Sequence, residues 1–109
     1  MTTPATVPVT MDAHAGSAIE HHGLQAAVDR MIDYAREHLP EVERIEVSLY
    51  ERNDIEEPLG ISIDVYSRRP SRANENFAWE IIKWRAREFP PEVLERTVMD
   101  YHSGADHVG

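Results

Sequence analysis

The chain has no cysteine, one lysine and no long apolar run. Without cysteine there is no disulfide staple, no thiolate metal site and no cysteine nucleophile. No stretch approaches the ~18 apolar residues of a membrane-spanning helix, so a membrane partner is not expected. Lys83 is the only lysine, and 20 acids outnumber 11 bases to give a net charge of −9. Binding to phosphate backbones needs concentrated positive charge, so nucleic acid is not expected as a partner either. Glycine is scarce at five residues. It forms no phosphate-cradling loop, no dinucleotide fingerprint and no G-x-S-x-G elbow. Met1 to Thr10 holds no basic residue and no continuous apolar stretch, which does not fit a secretory signal. A cytoplasmic location is the expectation.

Against these absences stand two alternating runs. Ile45, Val47 and Leu49 alternate with Glu46, Ser48 and Tyr50, and Ile61, Ile63 and Val65 alternate with Ser62, Asp64 and Tyr66. Successive side chains of a strand point to opposite faces, so each run reads as a half-buried strand. The strands are placed at about 44–51 and 59–67, joined by a segment 52–58 with the turn formers Asn53 and Asp54 and with Pro58. Together they predict an antiparallel hairpin with one apolar face.

Helical periodicity flanks the hairpin. Leu24, Val28, Met31, Ile32, Ala35 and Leu39 recur at helical spacing over 24–38, and Pro40 ends that helix. Ser17 and Glu20 have capping-box spacing that would extend it upstream, and Gly23 opposes the extension. A second helix is predicted over 72–88, with Phe77, Ile81 and Trp84 in one row. Pro91 and Glu92 suit the start of a short third helix, which presents Leu94, Val98 and Tyr101.

The predicted class is therefore α+β in the order α-β-β-α-α, a hairpin packed against two longer helices and one short one. Residues 1–18, rich in Thr, Ala and Pro, are expected to be a disordered N-terminal tail. Residues 19–103 form the single small domain, and 104–109 a frayed C-terminal tail beyond the stop at Gly104.

Four features bear on function. The hairpin's polar face would gather Glu46, Ser48, Tyr50, Ser62, Asp64 and Tyr66. Paired carboxylates beside phenols suit proton transfer or cation binding; the other uses of such a face are simple solvation and burial against another subunit. Trp79 falls outside the apolar stripe of the second helix, where it either lies under a neighbouring helix or anchors a partner. Arg68, Arg69 and Arg72 cluster at a helix N-terminus, a place suited to an anion, with Glu75 and the acids of 52–58 near enough to neutralise them. The fourth feature is six histidines. Adjacent His21 and His22 point about 100° apart on a helix and do not chelate from one face. A zinc site from His14, His21 or His22 with Glu20, or from His102 with Asp106 and His107, is a third reading; His38 stands apart.

An isolated two-stranded sheet is marginal in water, which favours pairing with a second copy. The leading expectation is a protein-interaction or regulatory module that acts as a homodimer through Tyr50, Asp64, Tyr66 and Trp79, without cofactor or chemistry of its own. The first alternative is a small-molecule-binding protein or small enzyme that uses Glu46, Tyr50, Asp64 and Tyr66. The second is metal binding through terminal histidines.

Overall fold

The computed structural model describes residues 7–39, 41–51, 59–68 and 71–103, with backbone alone at 50, 51, 59, 71–76 and 103. Eight elements follow in chain order: β1 (Val9–Met11), α1 (Ala13–His21), α2 (Gln25–His38), β2 (Val42–Glu51), β3 (Leu59–Ser67), α3 (Ser71–Glu88), α4 (Pro91–Arg96) and β4 (Thr97–Ser103). The class is α+β. The four strands form one mixed sheet in the order β1-β2-β3-β4. β2 and β3 pair antiparallel, while β1 and β4 add parallel strands on either side.

Two expectations from sequence are corrected here. Residues 9–18, read as part of a disordered tail, hold β1 and most of α1. They are ordered because Ala15 and Ile19 are buried in the core and Val9 packs against it. The short third helix does not reach Tyr101; it ends at Arg96, and the next seven residues form β4. Thr97, Met99 and Tyr101 face the helices from that strand, at a period of two instead of 3.6. The element order is accordingly β-α-α-β-β-α-α-β, and the hairpin lies at the centre of a sheet. The tail 104–109 and the connection 52–58 lie outside the described residues.

The helical segment before the hairpin is two helices because of Gly23. Its φ of 66° is in the left-handed region, which glycine enters without a Cβ penalty. The turn closes with N–H groups of His22, Gly23 and Leu24 donating to the carbonyls of Ala18, Glu20 and Ile19. α2 then buries Ala27, Val28, Met31, Ile32 and Ala35, and Leu24 and Leu39 at its two ends are buried as well.

Toward the β4 edge of the sheet, α3 ends at Glu88 and α4 opens with Pro91 in its first turn. Thr97, nearly fully buried, fixes the switch from α4 to β4. Its hydroxyl donates to the Val93 carbonyl at 2.8 Å, and the Arg85 guanidinium donates to its carbonyl at 2.8 Å and its hydroxyl at 2.7 Å.

All four helices lie on one side of the sheet. Ile45 and Val47 of β2, Ile61, Ile63 and Val65 of β3, and Met99 of β4 join Ile19, Met31, Ile81 and Phe89 in a single core. The two parallel connections, β1 to β2 and β3 to β4, step across the sheet in the same direction from strands of opposite sense. Were both right-handed, as such connections nearly always are, their helices would cover opposite faces. With all four helices on one face, the two connections have opposite hands. The other face is left uncovered among the described residues.

Candidate site on the open sheet face

Register sorts the open face into rows. Arg44, Tyr66 and His102 are cross-strand partners on β2, β3 and β4; Thr10, Glu46, Asp64 and Asp100 form the next row; Ser48, Ser62 and Val98 the one after. Arg44 reaches this face through a bulge. The register shifts between Val42 and Arg44, so that Glu43 is the extra residue. Val42 then pairs with buried Ser67 while Arg44 pairs with Tyr66, although an unbroken strand would put both on one face.

The first row is a stack. The Arg44 guanidinium lies 4.0 Å from the Tyr66 ring centroid. On the next strand the His102 imidazole stacks on the same phenol, with centroids 4.8 Å apart and planes 22° apart. Tyr66 thus occupies the middle, between a cation and an imidazole. Its phenol is pushed above its ordinary range, first by burial and then by the Glu46 and Asp64 carboxylates, with Arg44 acting in opposition.

The second row is a line of carboxylates tied into the first. Arg44 Nε donates to Glu46 at 2.7 Å. Asp64 Oδ1 lies 2.8 Å from His102 Nε2, and the Ser62 hydroxyl donates to Asp64 Oδ2 at 3.0 Å. Asp100, directly opposite Asp64, is exposed. Asp64, Asp100 and His102 each bring a ligand atom within 4.8 Å of the others. The set can bind a cation or orient an imidazole for proton transfer.

The structure therefore brings together Glu46, Asp64 and Tyr66 from the predicted polar face. Tyr50 pairs with Gly60 through its backbone, and its side chain lies outside the described residues. Sequence reasoning missed Arg44, Asp100 and the placement of His102. Two polar residues in succession, Glu43 and Arg44, are the signal for the bulge. The alternation of Val98, Asp100 and His102 against Thr97, Met99 and Tyr101 is the signal for β4.

The other expected sites separate from this cluster. Trp79 is 65% exposed on the outer side of α3, near Ile82 at 54%, so neither is covered by α4. Arg68 is exposed, donates its N–H to the Glu41 carbonyl and pairs with Glu43 at 3.7 Å. Arg69 lies outside the described residues, and Arg72 is described in backbone alone. His21 and His22 meet edge to face at 4.9 Å, and His38 packs against Tyr34. Among the described residues, His14, His21, His22 and Glu20 form no converging ligand group; Asp106 and His107 lie outside those residues. A solvent-open cleft of about 240 Å³ between α2 and α3 is lined by Arg30, Asp33, Tyr34, Glu37, His38 and Trp84. It is on the helical side, away from the polar sheet face.

No helix among the described residues is long and apolar enough to cross a membrane. Comparison with protein-family models, curated proteins and solved structures returns no match.

Proposed function

We propose that the protein is an interaction module that works by self-association, with two copies joined through β4. The observation that supports this is the inequality of the sheet's two edges. β1 is three residues long, whereas β4 runs for seven and, among the described residues, pairs only with β3. A long edge strand without proline or lysine is a template for further pairing.

Side-chain complementarity along β4 favours a second copy as the occupant. Antiparallel pairing about a two-fold axis at Tyr101 sets Asp100 opposite the partner's His102 and His102 opposite the partner's Asp100. A carboxylate opposite an imidazole in cross-strand register accepts a hydrogen bond from the ring N–H, and such polar pairs stabilise a sheet. The two Tyr101 rings would meet on the helix-facing side, where a phenol contributes apolar area together with a polar tip. In this reading the hairpin's polar face flanks the junction and is not itself stacked against a copy.

Sedimentation in EDTA over a micromolar concentration series tests the proposal. The expected result is a monomer–dimer equilibrium. Removing the acceptor from the two symmetric contacts with Asp100→Lys should weaken it about tenfold. Ser48→Lys, on the same face but two strands from the edge, should leave it unchanged. A wild-type monomer throughout the series overturns the proposal, as does an equilibrium that Ser48→Lys breaks and Asp100→Lys does not.

A further inference from the structure

We propose that Asp64, Asp100 and His102 bind one first-row divalent cation, of the zinc or manganese type, on the open sheet face. The site is built within one chain and does not depend on self-association.

Geometry comes first. One ligand atom from each residue lies within 4.8 Å of the other two. Donors around such an ion sit about 2.0–2.2 Å from it, hence roughly 3–3.5 Å from one another. His102 Nε2 and Asp64 Oδ1 are already at 2.8 Å. Asp64 and Asp100 are direct cross-strand partners, and His102 is two residues beyond Asp100 on the same face of β4. Asp100, exposed on the same face, is the ligand whose side chain would turn inward to close the set.

The surroundings orient two of the three ligands independently. Ser62 donates to the Asp64 oxygen that faces away from His102, holding the carboxylate as an outer-shell partner does at metal sites. The stack on Tyr66 fixes the plane of the His102 ring. The third ligand makes a cation useful to the fold. No hydrogen bond or ion pair within the described residues engages Asp100, and it stands directly opposite another carboxylate. Like charges in that register destabilise a sheet, and a dication between them converts repulsion into attraction.

Donor chemistry selects the ion. Two carboxylate oxygens and one imidazole nitrogen suit zinc, manganese or cobalt; soft cuprous ions want the thiolates that the chain lacks. Three protein ligands leave coordination positions for water or for an anionic group of a ligand.

Calorimetric titration of the full chain with zinc and with manganese is the test, joined by paramagnetic broadening of backbone NMR signals by manganese. One saturable site per chain is expected, with broadening centred on residues 64, 100 and 102. Asp100→Asn, at an exposed position, should keep the circular dichroism spectrum. It should also weaken binding by at least the roughly tenfold that loss of an outer-shell partner causes. His102→Gln should act likewise. The combined His14→Ala, His21→Ala and His22→Ala variant should bind as wild type. The proposal is overturned by absence of saturable binding at millimolar metal, by several equivalent sites spread over the acidic surface, or by binding that survives Asp100→Asn. Binding lost with the three N-terminal histidines would overturn it too.

Discussion

The same three strands present two faces made from alternate residues, and the faces have little else in common. On β3, Ile61, Ile63, Val65 and Ser67 are buried under helices while Ser62, Asp64 and Tyr66 remain half-exposed. The covered face draws its free energy from apolar area removed from water, at roughly 25 cal/mol per Å². The open face has its polar groups held in local pairs, Arg44 with Glu46 and His102 with Asp64. Exposed pairs of this kind contribute at most about 1 kcal/mol. Substitution on one face should therefore read out as stability and on the other as binding. That contrast can be broken from either side.

The largest effect is expected from deleting residues 1–18. The covered face extends to β1 and α1, and the deletion removes an edge strand together with buried Ala15 and the first part of the helix that carries Ile19. A loss of ~2 kcal/mol or more corresponds to a fall of at least about 8 °C in the thermal midpoint of a domain this size. An unchanged midpoint would show that β1 and α1 contribute nothing to the covered face.

Adjacent residues on β3 give the sharpest version. Ile63 is fully buried mid-strand between Val47 on β2 and Met99 on β4. Ile63→Ala should cost about 2–5 kcal/mol, as loss of buried methyl groups leaves a cavity. Ser62→Ala removes one hydrogen bond to Asp64 and should cost about 0.5–1.5 kcal/mol. Chemical denaturation of both variants measures the difference. Equal or reversed costs would place the strand one residue out of register.

Polar groups on the covered side carry a smaller effect. Arg85→Met keeps much of the stem's packing but removes the donors that hold Thr97 at the start of β4. Hydrogen bonds to a charged group put the expected loss near 1.5–3 kcal/mol, read by the same denaturation curves. A loss within 0.5 kcal/mol would mean that the α4–β4 junction is held by packing alone.

How much of this was legible in the sequence differs between centre and periphery. Ile45–Leu49 and Ile61–Val65 are long enough for alternation to stand out, and the period of α2 is equally plain. β1 has only three residues, and its partner lies across two helices, so no local pattern marks it. In the window from Leu94 to Tyr101 two periods compete. Leu94, Val98 and Tyr101 fit a helix, while Thr97, Met99 and Tyr101 fit a strand; tertiary pairing with β3 decides for the strand. The candidate site suffered from both problems. Asp64 and Tyr66 were visible on a clear strand, but Asp100 and His102 became their neighbours only once β4 existed. Arg44 joined them through a bulge that interrupts the alternation.

Outside both faces, Trp79 should matter little for folding. It is mostly exposed on α3, so Trp79→Ser should change stability by no more than about 0.5 kcal/mol. A larger loss in thermal denaturation would show that the indole covers apolar surface of the helical layer. In that case the covered face would extend around the outside of α3.

The smallest effect concerns protons on the open face. The Tyr66 phenol titrates above its ordinary value of 10.0, chiefly because burial disfavours the phenolate, and then because Glu46 and Asp64 are anionic. Burial, with Glu80 as the second cause, also raises Tyr34 on the helical side. The neutral phenol is therefore favoured in the folded chain more than in the unfolded one. Its contribution to stability is fully present below about pH 10 and is lost as pH rises through the higher folded value. Absorbance titration at alkaline pH, with the Tyr66→Phe curve subtracted from wild type, isolates this phenol; its midpoint should lie above 10.0. Glu46→Gln removes one of the anions and releases Arg44 from its carboxylate partner. Both changes favour the phenolate, so the midpoint should move down. The corresponding subtraction for Tyr34 should not move, since its causes lie on the other side of the sheet. A Tyr66 midpoint unaffected by Glu46→Gln would mean that the row of carboxylates and the Arg44–Tyr66–His102 stack do not sense one another.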